Sequence, residues 1–228
     1  MPHTFFVTGT DTEVGKTLIA AALLELAKAR GLRCVGLKPI AAGCERVDGR
    51  LVNDDALALM AASGASLDYR TVNPVALEPA IAPHIAAEQS GVVLCASDLA
   101  ERCRSALQGG FDFAIVEGAG GWFVPLNGTE TLGDVCIHIG APAILVVGMK
   151  LGCLNHALLT AHAIAEAGGA LAGWVANSAT AEMPMFAANV DTLRERLDAP
   201  CLGVVPYLGA GAGPDDAVGH LAIEPLLT

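Results

Sequence analysis

A glycine, a lysine and a threonine stand together at Gly15-Lys16-Thr17, and the stretch Gly9-Thr10-Asp11-Thr12-Glu13-Val14 leads into them. Successive backbone N–H groups in such a turn can surround phosphate oxygens, and a helix starting there adds its partial positive charge. Lys16 would then reach the outer phosphates of a nucleotide, and the Thr17 hydroxyl would ligate Mg²⁺. The common pattern Gly-x-x-x-x-Gly-Lys-Ser/Thr is not met strictly, because Thr10 occupies its first glycine position. Position in the chain is what makes the triplet informative. It follows a β-branched and aromatic run, Thr4 to Thr8, and precedes Leu18, Ile19, Ala22, Leu23, Leu26 and Ala27, which recur at helical spacing. The plainer alternative is a glycine turn with a surface lysine.

Two more positions suit the same chemistry. Glu117 follows the apolar run Phe113-Ala114-Ile115-Val116. At the carboxyl end of a parallel strand it would lie in the ligand crevice, where a carboxylate holds Mg²⁺ directly or through water, or else caps the next turn. Lys38 ends a second short strand, Cys34 to Leu37. A lysine beside phosphates neutralises charge that develops during transfer, although on spacing alone a snorkelling strand-end lysine is the preferred account. Asp54 and Asp55 open a short helix to about Ala62, as caps or, for one of them, as part of an Mg²⁺ site. His84 and His156 fit surface or capping roles better than contact with substrate. The absence of a Gly-x-Ser-x-Gly elbow and of a His-Glu-x-x-His helix argues against serine hydrolase and zinc protease chemistry.

The elements around these residues alternate in a βαβ rhythm, which predicts a mostly parallel sheet with helices on both faces. The helix after the phosphate turn stops at Gly31. Leu67 to Ala96 is broken by Pro74, Pro79 and Pro83, and Asp98 is expected to cap a helix through about Leu107. Phe113 to Val116 forms a strand ended by Glu117 and the Gly118-Ala119-Gly120-Gly121 turn. Ala143 to Val147 is another strand, followed by a helix from about Asn155 to Ala167. Leu171 to Val175 leads to Asn177 and to a helix bearing Val190, Leu193 and Leu197, and Cys201 to Val205 is the last strand. The glycine-rich stretch Gly209 to Gly213 is expected to loop over the surface.

The 228 residues, at about 150 per domain, suggest one domain, because no linker-like stretch divides them. Hydrophobic residues make up 53% and charged ones 16%, enough for a large core and too apolar for disorder. A formal charge of −11 argues against nucleic acid or an anionic membrane surface as partner, and 4% aromatic residues leave few stacking platforms. Seven widely spaced cysteines without a Cys-x-x-Cys pair fit neither a disulfide framework nor a zinc site, and suggest a reducing, cytoplasmic setting. They read as small core residues, except Cys153 in its glycine-flanked loop. No signal peptide is expected at Met1 to Val7, and the most apolar stretch, Ile139 to Met149, is too short to span a bilayer.

Longer runs carry a resemblance. Phe6 to Thr17, Lys38-Pro39 with Gly43, Asp55 to Leu59, Thr71-Val72-Asn73-Pro74, Pro83-His84 and Val116 to Trp122 resemble, in order, the motifs of dethiobiotin synthetases. So do Leu145 to Gly148, Lys150 to Cys153 with Asn155-His156-Ala157, and Ala172 to Asn177. The resemblance spans about residue 4 to residue 208. It implies a P-loop NTPase-like α/β fold, a homodimer, and ATP- and Mg²⁺-dependent joining of CO₂ to 7,8-diaminononanoate, giving dethiobiotin. Carried over by position, Lys16 and Lys38 stabilise charge in catalysis, and Thr17, Asp55 and Glu117 surround Mg²⁺. Glu13, Val14, Gly15, Lys16, Thr17 and Leu18 line the nucleotide with Asp55, Glu117, Gly118, Ala119 and Gly120, while Asn177, Pro206, Tyr207 and Leu208 hold adenine. Thr12 touches the diamine, and Leu151, Gly152, Cys153 and Asn155 reach the diamine of the partner subunit. Ala42 stands where the family usually has Ser or Thr, so one hydroxyl contact to substrate is missing, and Ser178 replaces an acidic residue of some members.

Two other classes share this kind of nucleotide domain. Partitioning and septum-placement ATPases resemble one another in a lysine at the position of Thr10 and in an Asp-x-Pro-x-Gly-like second motif, where this chain has Glu117-Gly118-Ala119-Gly120. Amidotransferases related to the cobyric acid synthases normally add a glutaminase domain, for which 228 residues leave no room.

Overall fold

The computed structural model describes residues 2–180 and 183–228. Strand β1 (His3–Gly9) is buried over its last five residues, as a parallel strand covered on both faces must be. Helix α1 (Lys16–Ala29) and strand β2 (Cys34–Leu37) follow. The chain then leaves the main sheet through β3 (Ile40–Ala42), the antiparallel pair β4 (Glu45–Val47) and β5 (Arg50–Val52), and helices α2 (Asp54–Ser63) and α3 (Tyr69–Val72). Strand β6 (Val75–Leu77) pairs in parallel with β3, and α4 (Pro83–Gln89) follows it. The chain returns through α5 (Ala96–Leu107), β7 (Phe113–Gly121), α6 (Leu132–Ile139), β8 (Ala143–Gly148) and α7 (Cys153–Glu166). It finishes with β9 (Leu171–Asn177), α8 (Phe186–Arg196), β10 (Cys201–Val205) and α9 (Pro214–Val218).

The six-stranded sheet has the order β10-β9-β8-β1-β7-β2, and its pairings are parallel. Side chains alternate across it as a period of two requires. Phe113 and Ile115 of β7 pack with Ile19, Leu23 and Leu24 of α1, whereas Ala114 and Val116 pack with Leu99, Ala100 and Cys103 of α5. In β8, Ile144 and Val146 join the α1 side, and Leu145 and Val147 meet Cys153 and Ala157 of α7. Helices therefore cover both faces, as the βαβ rhythm predicts. Because all six strands run the same way, the residues after β1, β2, β7, β8, β9 and β10 gather at one edge, where α/β sheets bind ligands.

Several local expectations change. Strand β7 does not end at Glu117. It stays paired to β1 as far as Gly9↔Gly121, with a register shift between Val7 and Gly9, because glycines can continue a ladder while bending it. Helix α2 is capped by Asn53, whose Oδ1 accepts from the Ala56 N–H, so Asp54 and Asp55 lie inside the first turn. Helix α5 starts after Cys95, which places Asp98 in its first turn rather than at its cap. Cys153 is buried as the first residue of α7, while Cys95 and Cys201 are the half-exposed cysteines. Gly209, Gly211 and their neighbours do reach the surface, but the chain beyond them packs down again. Ala217, Ile223 and Leu226 are buried on the α1 side of the sheet. Among the described residues, no helix is long and apolar enough to cross a membrane.

Candidate active site

Three ties fix the turn between β1 and α1. The Thr10 N–H donates to the Val146 carbonyl (3.0 Å), and the Gly148 N–H donates to Thr10 Oγ1 (3.1 Å). On the other side, Asn177 Nδ2 donates to the Val14 carbonyl (2.7 Å) from a fully buried position. These bonds anchor the loop to the ends of β8 and β9. They also explain the departure from the common glycine pattern. Position 10 needs no positive φ, and its hydroxyl serves as the link to β8. Gly15 is different: its φ is +86°, and a Cβ there would lie 2.2 Å from Asn177 Nδ2. Thr10→Gly should lower stability by about 1 kcal/mol through the lost bond, and Thr10→Ser should not. Urea-unfolding midpoints test this, and equal midpoints for the two variants would count against the tie.

Beside the loop lies a cluster of charge, buried at Lys38 and Glu117 and half-exposed at Asp55. Lys38 Nζ contacts Glu117 Oε1 at 2.7 Å and Asp55 Oδ2 at 2.9 Å, and donates to the Gly118 carbonyl at 3.1 Å. Thr17 Oγ1 donates to the same Glu117 oxygen at 2.8 Å. Burial opposes the charge on Lys38, but Glu117 and Asp55 outweigh it and hold the ammonium above the ordinary lysine value. Burial also opposes the charge on Asp55, yet Lys38 prevails and holds that carboxyl below the usual range. Lys16, whose Nζ donates to the Asp11 carbonyl, is pushed down by burial and then by the positive charge of Lys38. Asn73 sets the lysine's backbone, since its Nδ2 donates to the Lys38 carbonyl (2.7 Å) while Tyr69 donates to its Oδ1 (2.9 Å).

The donors suit Mg²⁺. Among the described residues no three His, Cys, Asp or Glu side chains come together, so the soft or all-protein cages of other metals are not offered. Two carboxylates and one hydroxyl are instead what Mg²⁺ uses when phosphates and water complete its shell. Glu117 Oε2 is buried with no hydrogen-bond partner, an acceptor that a bound cation would satisfy.

A cleft of about 920 Å³ contains the cluster. Its wall includes Thr12, Glu13, Gly15, Lys16, Thr17 and Leu18 from the loop. Lys38, Asp55, Glu117, Ala119 and Gly120 come from three other segments, and Asn177, Pro206, Tyr207 and Leu208 from the ends of β9 and β10. Val14 and Gly118 contribute carbonyls to the ties described above rather than surface to the cleft. Leu151, Gly152, Cys153 and Asn155 do not line it. Leu151 is 94% exposed, whereas Cys153 is buried. The Lys150–Asp11 ion pair (2.7 Å) joins this loop to the phosphate loop. Ala42 lies in the cleft wall, as do Asn53, Ile81, Pro83, Ser178 and Gly211. The Ile81–Pro83 contribution comes from the proline-broken stretch that periodicity does not resolve. His84 and His156 are half-buried and absent from the cleft lining.

A parallel sheet with a Gly-Lys-Thr loop after its central strand, and a lysine and two carboxylates beside that loop, defines a P-loop NTPase-like protein. A family model described as an AAA domain matches residues 3–214. The ParA family ATPase of Chlorobium tepidum shares the fold at a TM-score of 0.54 and 13% identity, with 98% of this chain and 95% of that one covered. Much nearer in sequence are the ATP-dependent dethiobiotin synthetases of Cellvibrio japonicus, 56% identical over 98% of this chain and 97% of its relative, and of Pseudomonas paraeruginosa, 54% identical over 97% of each. The chain belongs to the dethiobiotin synthetase family.

Proposed function

We propose that this protein, as one domain spanning residues 1–228, is a cytoplasmic, homodimeric ligase that forms dethiobiotin from 7,8-diaminononanoate, CO₂ and ATP. The observation that carries this is the buried Lys38–Glu117 pair, shared with Asp55, beside the phosphate loop, in a chain whose relatives bear that enzyme's name over nearly their full length. One substrate amine takes up CO₂ as a carbamate and loses a proton. A carbamate oxygen then attacks the γ-phosphorus, ADP leaves, and the second amine attacks the activated carbonyl and loses a proton, expelling phosphate and closing the ureido ring. Charge gathers between carbamate and triphosphate in the first transfer, and this chain's part is to meet it. The loop amides and Lys16 hold the phosphates, Lys38 neutralises the carbamate side, and Asn177 with Pro206, Tyr207 and Leu208 borders the base. Thr17, Asp55 and Glu117 would hold Mg²⁺, which supplies further neutralisation of phosphate charge when bound.

Dimerisation is supported by exposed apolar side chains. Leu151 at 94% and Phe123 at 69% stand exposed in the loops after β8 and β7. Leu151, Gly152, Cys153 and Asn155 would form the segment that reaches a diamine bound by the other subunit, while Thr12 faces the diamine in the chain's own cleft. Purified protein should incorporate labelled bicarbonate into dethiobiotin only with ATP, Mg²⁺ and the diamine. Phosphate release that ignores the diamine would overturn the proposal in favour of a switch ATPase. Ala42→Ser should lower KM for the diamine several-fold by supplying one hydrogen bond, worth roughly 1 kcal/mol, and an unaltered KM would show that the cleft already replaces that contact.

A further inference from the structure

Five charged side chains line the cleft; Glu13 is exposed at its mouth, and the inner four, Lys16 and Lys38 against Asp55 and Glu117, have formal charges that cancel. Lys38 is shared between both carboxylates; it, at 3% exposed, and Glu117, at 0%, are closed to water, whereas Asp55, at 42%, faces the open cleft. We propose that Lys38 is a built-in counter-ion that keeps free divalent cations out of the site, so that the metal enters only together with the nucleotide. This rests on Thr17, Asp55 and Glu117 being the metal's ligands.

The case is one of charge balance. A divalent cation entering alone would raise the formally neutral inner group to +2 beside the buried Lys38–Glu117 pair, and would have to compete with an ammonium already 2.7 and 2.9 Å from the carboxylates. Uncompensated charge in such a place is strongly opposed. A cation that arrives on a triphosphate brings net negative charge instead, which Lys16, Lys38 and the amides at the start of α1 can meet. The carboxylates then pass to the metal, and the ammonium of Lys38 is released to face the phosphates. Lys38 thus does one task before nucleotide binding and another after it. Without Lys38 the cluster carries −1, and a bare divalent cation becomes an acceptable partner for it.

Mn²⁺ is the probe, because its electron paramagnetic resonance signal separates free from bound ion without any turnover. Nucleotide-free wild type should bind Mn²⁺ weakly at this site. Lys38→Gln should tighten nucleotide-free Mn²⁺ binding by about tenfold or more, the sense expected for removing one adjacent positive charge. Lys38→Arg, which keeps the charge, should leave it weak. The proposal is overturned if Lys38→Gln binds free Mn²⁺ no better than wild type. It is equally overturned if nucleotide-free wild type binds Mn²⁺ tightly in a manner lost in Glu117→Gln, a comparison that stands even should Lys38→Gln fail to fold. Absence of bound Mn²⁺ with a non-hydrolysable ATP analogue present would instead remove the ligand assignment beneath it.

Discussion

Lys38→Ala should abolish most turnover and also lower stability by about 3–5 kcal/mol, the usual consequence of stranding one partner of a buried ion pair. For a chain of this size that corresponds to a fall of roughly 6–20 °C in Tm. The stranded group is Glu117, which would keep only the Thr17 hydroxyl on one oxygen and nothing on the other. The two losses can be separated. Lys38→Met combined with Glu117→Gln removes both charges and should recover most of the Tm while remaining inactive, so that steady-state turnover and thermal melts give different orders for the variants. A single variant that melts with wild type would show that Glu117 is not held as the structure has it. The pH response has a definite sign. Because Lys38 is held above its ordinary value, its contribution is complete below about pH 10.4 and is lost as pH rises through its folded-state value. Asp55, held below its ordinary value, contributes above about pH 3.9 and stops contributing as pH falls through its folded-state value.

Gly15→Ala is expected to be nearly as damaging to nucleotide binding, by another route. A methyl group at φ +86° carries a backbone penalty of about 1–2 kcal/mol and would meet Asn177 Nδ2 at 2.2 Å. Asn177 cannot simply retreat, since the same nitrogen holds the Val14 carbonyl. The loop must therefore open, and ATP affinity measured by calorimetry should fall by on the order of 100-fold as the phosphate-facing amides lose their alignment. Adding Asn177→Ala removes the clash but also the Val14 tie, and leaves the backbone penalty, so the double variant should not recover the affinity. Wild-type affinity in Gly15→Ala would mean that phosphate is not bound by this turn.

Much of the architecture was legible because its signals are local. The β-branched and aromatic run before Gly9, the glycine stop after α1 and the short apolar run Cys34 to Leu37 each declare an element without reference to the rest of the chain. The phosphate loop was legible for the same reason. Glycine-rich strand ends were not, because glycine carries no β signal of its own, and β7 continues past Glu117 only through its ladder to β1. Helix α6 was missed even though Thr131-x-x-Asp134 marks its start, with the Thr131 N–H donating to Asp134 Oδ2. The β4–β5 hairpin likewise had a signal in Asp48-Gly49, both of which adopt the positive φ of a tight turn. Within the site, Lys38 was ambiguous by spacing because its importance lies in what lies across from it, and Asp55 and Glu117 are brought to it only by folding. Asn73 is the most instructive case. It was visible within a family motif, yet its work, carrying the Lys38 carbonyl, is a contact between segments far apart in sequence.

The ties that hold the phosphate loop have a kinetic consequence. Thr17 and Glu117 are 100 residues apart, Thr10 and Gly148 are 138 apart, and Asn177 and Val14 are 163 apart. No fragment of the chain can contain all three contacts until β1, β7, β8 and β9 have assembled, and closures of that span come late in folding. A chain that ends before β9 should thus engage ATP poorly, however early its glycine turn forms. Nucleotide should accordingly slow unfolding of the finished protein while leaving its refolding rate almost unchanged.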